Sequence, residues 1–296
     1  MKAFAALIHR EFIEHKGAFF LAPMVIIALM FIVLGLAYVS GRLDIEDYGI
    51  INALPLRIFE IGFLALSFGW WLYLLGGVVF YAADSFWADK RANAMLFWKS
   101  MPQSDFKILM SKLATATLLI PGLIFSAMLL SGVFVYVLVL VMASTTGSNV
   151  GFFISAAFWS YLNIAVSLLL VLAASMLWYL PFIAWVAGHA VAVGRWSIPL
   201  SILIPMVAVL IENVFFRGMG PDGGHIWNYL THRLEFPQLE EGYGEEWFFS
   251  TQAFDASAFA LDLIMRIDWL QVAIGAVFAF IVVYLASEYR RRTIDN

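Results

Sequence analysis

Runs of about twenty consecutive apolar residues recur along this chain, and they constrain its fold more than any other feature. A helix needs about 20 apolar residues to cross the hydrocarbon core of a bilayer. Of the 296 residues, 63% are hydrophobic and 13% are charged, whereas soluble domains average about 45–50% apolar and about 25% charged residues. Because backbone polar groups must find partners within lipid, these runs predict an all-α integral membrane protein.

The apolar runs predict six transmembrane helices, and residues 1–296 are interpreted as a single transmembrane domain. The fourth run is ambiguous, because residues 151–193 are apolar almost throughout. They fit either two short spans or one long helix with an entry piece, kinked at Pro181. The predicted spans are 18–39, 62–83, 113–141, 163–193, 197–216 and 269–287.

The distribution of basic residues favours six spans with both termini in the cytoplasm. This topology places 12 of the 17 Lys and Arg residues inside and 5 outside, as the positive-inside rule requires. A seventh span would move Arg290, Arg291 and Arg292 outside. The five residues predicted outside are Arg42, Arg57, Arg217, Arg233 and Arg266.

Two segments outside the spans have helical patterns of their own. Residues 1–17 are amphipathic, which predicts an elbow helix lying in the inner membrane interface. The loop 40–61 and the acidic loop 217–268 are predicted to be extracytoplasmic. In the second loop Phe254, Ala258 and Leu261 share one face, which predicts short helices before the last span. We interpret this loop as a solvated cap over the outer mouth.

The sequence contains no motif that would bind ATP or carry out catalysis. It lacks the G-x-x-x-x-G-K-[ST] phosphate loop, H-E-x-x-H and G-x-S-x-G. It has no cysteine, and the spacing of His225, His232 and Glu235 is too loose to predict a zinc site. We therefore predict no catalytic residue, no metal site and no cofactor bound by this chain, which is not expected to be an enzyme by itself.

Ionisable residues are almost absent from the predicted spans, which argues against a stand-alone secondary transporter. Glu212, near the outer end of the fifth span, is the closest candidate for a transport or gating residue. Its alternative interpretation is an interfacial polar residue. The chain thus has a membrane path but no visible energy source. Either it is passive or structural, or a partner supplies the energy.

Residues 84–112 form a basic amphipathic segment on the cytoplasmic side, between the second and third predicted spans. The pattern predicts a short helix over 91–100, a break at Met101 and Pro102, and a second helix capped by Ser104. Such a segment can transmit a push from a cytosolic protein into the membrane. It also fits an interfacial helix whose basic side chains contact lipid phosphates. Lys90, Arg91 and Lys112 are interpreted as residues that only hold the segment inside; they are the flanking basic residues of 89–113.

Three stretches resemble permeases of the type-2 ATP-binding-cassette (ABC) exporter family. The stretch FWKSMPQSDFKILMSKL is similar to the family's cytoplasmic coupling-helix loop, with Met101 and Gln103 where the family form has Leu and Val. IHREFIEHKGAFFLAP resembles the family's amphipathic elbow, and residues 179–216 resemble its junction between the fourth and fifth spans. With the six-span layout, these similarities extend over most of the chain.

The resemblance implies a permease subunit that moves a substrate outward across a bacterial inner membrane. Two permease chains, identical or different, would assemble with two ABC ATPase subunits, which bind ATP and Mg²⁺. Membrane lipid is an expected partner and nucleic acid is not. The Phe-, Leu- and Met-rich spans suit an apolar or amphipathic substrate. The residues implied to contact the ATPase are Phe97, Trp98, Lys99, Ser100, Met101, Pro102, Gln103, Ser104 and Asp105.

A function of a different class fits the same residues. A non-transporting membrane scaffold or sensor would bind a cytosolic partner through the 89–113 loop. An ATPase that binds this loop and responds to it would distinguish an exporter from a scaffold.

Overall fold

The computed structural model describes residues 2–40, 55–92, 103–146, 150–215, 224–235 and 255–294, and every regular element in these ranges is a helix. The all-α prediction is therefore confirmed for them. Five helical stretches in these ranges are long and apolar enough to cross a membrane, as in a multi-pass membrane protein. They are Lys2–Val39, Pro55–Arg91, Asp105–Met142, Ile154–Phe215 and Trp269–Thr293.

The first stretch contains the predicted N-terminal helix and the first predicted span. Helix α1 (Lys2–Lys16) passes through a π-helical turn (Gly17–Leu21) into α2 (Ala22–Val39). The turn is fastened to the next helix, because the Tyr73 hydroxyl donates to the carbonyl oxygen of Ala18 at 2.5 Å. The predicted amphipathic helix thus exists and continues directly into α2. Its position at a membrane interface stays a prediction.

The second stretch is longer than the predicted span. Helix α3 (Pro55–Arg91) extends the prediction of 62–83 at both ends. Hydropathy detects the apolar centre of a helix but not polar turns whose side chains have partners within the protein. Arg57 and Glu60 are such a pair, 3.3 Å apart. Residues 55–61 of the predicted 40–61 loop are therefore helical, and residues 41–54 lie outside the described ranges.

The third stretch begins at the cap that the sequence predicts. Ser104 accepts a hydrogen bond from the Lys107 N–H at 3.3 Å and starts helix α4 (Asp105–Ala114). A second π-helical turn (Thr115–Leu119) joins α4 to α5 (Ile120–Thr146). The predicted break at Met101 and Pro102, and the predicted helix beyond Ala92, lie outside the described residues.

The fourth predicted region is one uninterrupted helix, α6 (Val150–Val193), with Pro181 inside it. Its 44 residues span about 66 Å at 1.5 Å per residue, about twice the hydrocarbon thickness. A 3₁₀ turn (Gly194–Trp196) then leads into α7 (Ser197–Phe215). Gly194 has a φ of +58°, and a Cβ there would lie 2.8 Å from the Trp87 ring, so both backbone and space favour glycine.

Short helices occupy the described parts of the predicted outer loop, as expected. They are α8 (His225–Leu234) and α9 (Ala256–Arg266), and α10 (Trp269–Ile294) follows. The Asp255 carboxylate caps α9, accepting from the N–H groups of Ser257 and Ala258 at 2.9 and 3.1 Å. Residues 216–223 and 236–254 of this region lie outside the described ranges. The location of α8 and α9 relative to a membrane stays a prediction.

The centre of the bundle is formed by α3 and α6. Helix α6 packs along α3 and α10, and α3 also packs along α5. Close approach of α3 and α5 depends on Gly132, where a Cβ would lie 2.6 to 2.8 Å from three ring carbons of Phe63. Ser131, next to Gly132, accepts a hydrogen bond from Nε1 of Trp70 at 2.7 Å; Trp70 lies about two turns after Phe63 on α3. These contacts fix the register between the two helices.

The outer surface of the bundle is apolar. Large aliphatic side chains on α2, α7 and α10 are half or more exposed, for example Val33 at 64%, Leu210 at 64% and Leu285 at 59%. A soluble monomer rarely exposes contiguous apolar patches larger than a few hundred Å². The burial pattern is therefore the one expected where lipid, rather than water, surrounds the helices.

Candidate functional site

Five charged side chains from four helices meet where α3 ends and α4 begins. We call Glu11 (α1), Asp89 (α3), Asp105 and Lys112 (α4) and Arg290 (α10) the buried ion cluster. Four of the side chains are 2 to 4% exposed and Asp105 is 24% exposed. Buried charges require close partners, because leaving water costs several kcal/mol per ion.

Lys112 is at the centre of this cluster. Its Nζ lies 3.3 Å from Oε1 of Glu11 and 3.5 Å from Oδ2 of Asp89. The same ammonium donates to the carbonyl oxygen of Ser85 at 2.8 Å. Lys112 therefore connects α1, α3 and α4 through one side chain.

Arg290 connects the last helix to the described residues on either side of 93–102. Its Nη1 donates to Oδ2 of Asp89 at 2.9 Å. Its Nε lies 2.9 Å from Oδ1 of Asp105, an ion-pair distance at which the N–H is not aimed at the oxygen. Asp89 precedes residues 93–102 and Asp105 follows them in sequence, so one guanidinium holds the ends of α3 and α4 that flank this part of the chain.

Aromatic and polar groups surround the Glu11 carboxylate. The Tyr81 hydroxyl donates to Oε2 of Glu11 at 2.7 Å. His15, one helical turn beyond Glu11, lies 4.0 Å from the same oxygen and packs edge-on against Tyr81 with ring centroids 4.9 Å apart. Glu11 thus has partners on α3 and α4 as well as on its own helix.

Helical periodicity explains why these charges face inward. Residues i, i+4 and i+7 share one face of a helix, so Asp105 and Lys112 lie on the side of α4 that buries Ile108 and Leu109. On α3 the same spacing places Asp89 one turn after the buried Ser85. Burial of the apolar neighbours therefore carries the charged residues into the interior.

The structure describes three of the nine residues implied to contact an ATPase. Gln103 is half-buried, Ser104 is the exposed cap of α4, and Asp105 lies in the buried ion cluster. The other six, Phe97, Trp98, Lys99, Ser100, Met101 and Pro102, lie outside the described residues. The contact with an ATPase remains a prediction for all nine.

Glu212 has a structural role that sequence reasoning missed. Its carboxylate accepts hydrogen bonds from the backbone N–H groups of His225 and Ile226 at 2.7 and 2.8 Å. It therefore caps the N-terminus of α8 from α7, where a negative charge is favourable. Gly224, with a φ of +87°, allows the approach, since a Cβ there would lie 2.9 Å from the Glu212 carboxylate. A gating role for Glu212 stays a prediction.

The histidines of α8 do not approach one another as metal ligands in the part of the chain described. His225 begins the helix, and His232 packs against Trp178 with ring centroids 5.8 Å apart. Elsewhere, Glu11, Glu14 and His15 bring ligand atoms within 4.8 Å of one another. Glu11 is already bound to Lys112 and Glu14 to Arg10, which explains that proximity without a metal.

Sequence reasoning predicted burial for none of the charged residues that are buried in the described ranges, and three of them show why. Lys112, interpreted as a residue that only keeps its segment inside, is the central cation of the cluster, because the amphipathic face of α4 is buried. Arg233, expected in a solvated loop, is 0% exposed and lies 4.3 Å over the Trp178 ring. Burial lowers the pKa of Arg233, while nearby Tyr229 and Asp268 act to raise it.

The third missed charge is Glu60, which is 1% exposed on α3. Its carboxylate accepts a hydrogen bond from Ser160 of α6 and pairs with Arg57. The predicted loop boundary at residue 61 concealed this contact. Continuing the helical periodicity back to Pro55 would have placed Glu60 inside the helix.

Comparison of the chain with protein-family models, curated proteins and solved structures finds no match. The resemblance to ABC exporter permeases therefore depends on the short motifs themselves.

Proposed function

We propose that this chain is the permease subunit of a type-2 ABC exporter, and that a separate subunit hydrolyses the ATP that drives it. The observation that carries the proposal is the contact of Arg290 with Asp89 and Asp105, at 2.9 Å each. A force on residues 93–102 would reach four helices through these side chains. The lack of a phosphate loop in the sequence supports an external energy source.

The proposed arrangement has six membrane crossings with both termini in the cytoplasm of a bacterium. The turn at Gly194–Trp196 supports counting α6 and α7 as separate crossings. Helix α7 packs back on α6, where Trp185 donates from Nε1 to the Ser201 carbonyl oxygen at 3.1 Å. The positive-inside distribution of Lys and Arg supports the orientation.

The proposed complex contains two permease chains, identical or different, and two ATPase subunits that bind ATP and Mg²⁺. Phe97, Trp98, Met101 and Pro102 would fill a groove on the ATPase, and Lys99 would add polar contacts. The substrate would be apolar or amphipathic, which agrees with the scarcity of charge in the central spans. Movement of the substrate would be outward.

Co-purification tests this proposal. The full chain is expressed with the soluble protein encoded beside it, provided that this protein carries a phosphate loop, and is reconstituted in lipid nanodiscs. We expect the two to purify together and the permease to stimulate ATP hydrolysis. Trp98→Ala should reduce assembly and stimulation. The matched control is Trp196→Ala, because Trp196 is 58% exposed and lies outside residues 93–102.

The buried ion cluster has its own arm in this experiment. Asp105→Arg should uncouple ATP hydrolysis from transport, and Asp105→Asn, which removes the charge facing Arg290 without reversing it, should uncouple the two less. Undiminished assembly and ATPase stimulation in the Trp98→Ala, Asp105→Arg double variant would refute the assignment of this loop as the contact with the ATPase. Assembly with a cytosolic protein that lacks ATPase activity would instead support the scaffold or sensor function.

A further inference from the structure

Two neighbouring cavities lie between α6 and α10, and α3 lines the first of them. One has a volume of about 110 Å³, and its mainly apolar lining includes two basic residues, Lys90 and Arg290, and Thr293. The other has a volume of about 260 Å³ and is lined mainly by apolar side chains that include Trp185, Val282 and Leu285. Val191 and Tyr289 line both cavities, so the two adjoin each other, and together we call them the α6–α10 groove.

The polar end of this groove contains a buried cation with unused donors. Arg290 is 3% exposed, and its Nη1 is bound to Asp89. Its Nη2 is buried and has no hydrogen-bond partner among the described residues. A buried donor without a partner is unfavourable, so an acceptor that reached Nη2 from this cavity would be stabilised.

A second cation stands beside Arg290 at the rim. Lys90 is exposed, and no ion pair involves it within the described residues, whereas its neighbour Arg91 is paired with Asp84. Two carboxylates face Arg290: that of Asp89 contacts Nη1, and that of Asp105 contacts Nε. The positive charge available to a ligand therefore comes from Lys90 and from Nη2 of Arg290.

The apolar end of the groove suits a hydrocarbon chain. Leu285, on its outer wall, is 59% exposed and continues the apolar outer surface of α10. Gly188 lets α6 and α10 approach closely at the floor, since a Cβ there would lie 2.5 Å from Val282. A small inorganic anion would leave this half of the groove without contacts.

We propose that the α6–α10 groove binds a phospholipid with an anionic headgroup, with the phosphate at Lys90 and Nη2 of Arg290 and an acyl chain along Val282 and Leu285. Basic pockets between transmembrane helices are suited to anionic headgroups. The site does not depend on transport. Through Arg290 it connects lipid composition to the buried ion cluster, because a bound phosphate would complete the donors of that guanidinium.

Native mass spectrometry of the purified full chain tests this site by titration with phosphatidylglycerol and with phosphatidylcholine of the same acyl chains. We expect preferential binding of phosphatidylglycerol. Lys90→Gln should weaken it about fivefold, as for one lysine at an anionic headgroup. Ala192→Trp should weaken the binding of both lipids, because Ala192 lines the apolar end and a tryptophan there would fill it. Lys107→Gln, outside the groove, is the matched control.

Three results would overturn the proposal. The first is equal binding of the two lipids, and the second is an equal loss in Lys107→Gln and Lys90→Gln. The third is displacement of phosphatidylglycerol by inorganic phosphate together with normal phosphatidylglycerol binding by Ala192→Trp. The groove would then bind phosphate without an acyl chain. If Ala192→Trp does not fold, Lys90→Gln still decides, since Lys90 is exposed. Arg290 itself is left intact so that the ion cluster is not disturbed.

Discussion

Replacing Lys112 with methionine removes the ammonium that joins Glu11 to Asp89 while keeping a side chain of similar length. Lys112 is 2% exposed, and its Nζ lies within 3.5 Å of both carboxylates. Removing one partner of a buried ion pair costs about 3–5 kcal/mol, because the other charge stays buried without compensation. Asp89 keeps Arg290 and Glu11 keeps Tyr81, so we expect a cost within this range rather than twice as large.

Hydrogen–deuterium exchange of the protein in nanodiscs measures this cost locally. Protection of backbone amides reports the free energy of opening of the element that contains them. At about 1.4 kcal/mol per decade, the expected loss corresponds to about a 100-fold to 4,000-fold faster exchange of the amides in α4, residues 105–114. Amides of α5, beyond the second π-helical turn, should change much less.

Two further variants decide whether buried charge is the cause. Lys107→Met changes a lysine of the same helix that has no ion pair among the described residues, and it should alter exchange by about 0.5 kcal/mol or less. Adding Glu11→Gln to Lys112→Met should recover part of the loss, because one uncompensated carboxylate is removed. Equal effects of Lys112→Met and Lys107→Met would refute the reasoning.

Three further predictions concern single contacts. Ser104→Ala should destabilise the start of α4 by about 1 kcal/mol, because the N–H of Lys107 loses its acceptor; exchange of the first-turn amides measures this, and an unchanged rate contradicts it. Gly132→Val should lower the thermal unfolding temperature, because overpacking against Phe63 costs about 1–3 kcal/mol, whereas Gly122→Val, which meets no neighbouring side chain, should cost less. Hydrogen bonds from Ser257 and the first-turn N–H groups lower the pKa of Asp255, so its capping is present above the ordinary value of 3.8 and is lost as pH falls through the lowered pKa. The α9 amides should exchange faster relative to those of α5 at pH 3 than at pH 6, and a constant ratio would contradict the cap; α5 is the reference because no acidic residue lies in its first turn.

Much of the fold could be predicted from hydropathy and capping patterns. The end of α2 at Val39 and the starts of α7 at Ser197 and α10 at Trp269 coincide with the predicted boundaries, and Ser104 caps α4 as predicted. Each of these boundaries is set by local sequence: an apolar run that ends, or a hydroxyl placed before an amphipathic helix. Such signals require no knowledge of the neighbouring helices.

The buried charges could not be predicted in the same way. Lys112 and Arg290 look like cytoplasmic basic residues in any linear reading, and their partners lie up to 201 positions away in sequence, as for Arg290 and Asp89. Pairing of this kind depends on which helices become neighbours. Periodicity could only have indicated that Asp105 and Lys112 share the buried face of α4.

The π-helical turns at Gly17–Leu21 and Thr115–Leu119 make the relative rotation of the two helices that each one joins depend on the exact number of residues in the turn. Each accommodates one more residue per turn than an α-helix, and each residue corresponds to about 100° of rotation. The turns pack against the opposite stretches, Gly17–Leu21 on α5 and Thr115–Leu119 on α1, and they separate Glu11 and Lys112 from the lipid-facing halves of their helices. They therefore set how the half of the helix that carries the buried charge is rotated relative to the apolar, lipid-facing half. Deleting one residue from either turn would preserve composition and hydropathy, yet it would rotate one half against the other by more than a quarter of a revolution.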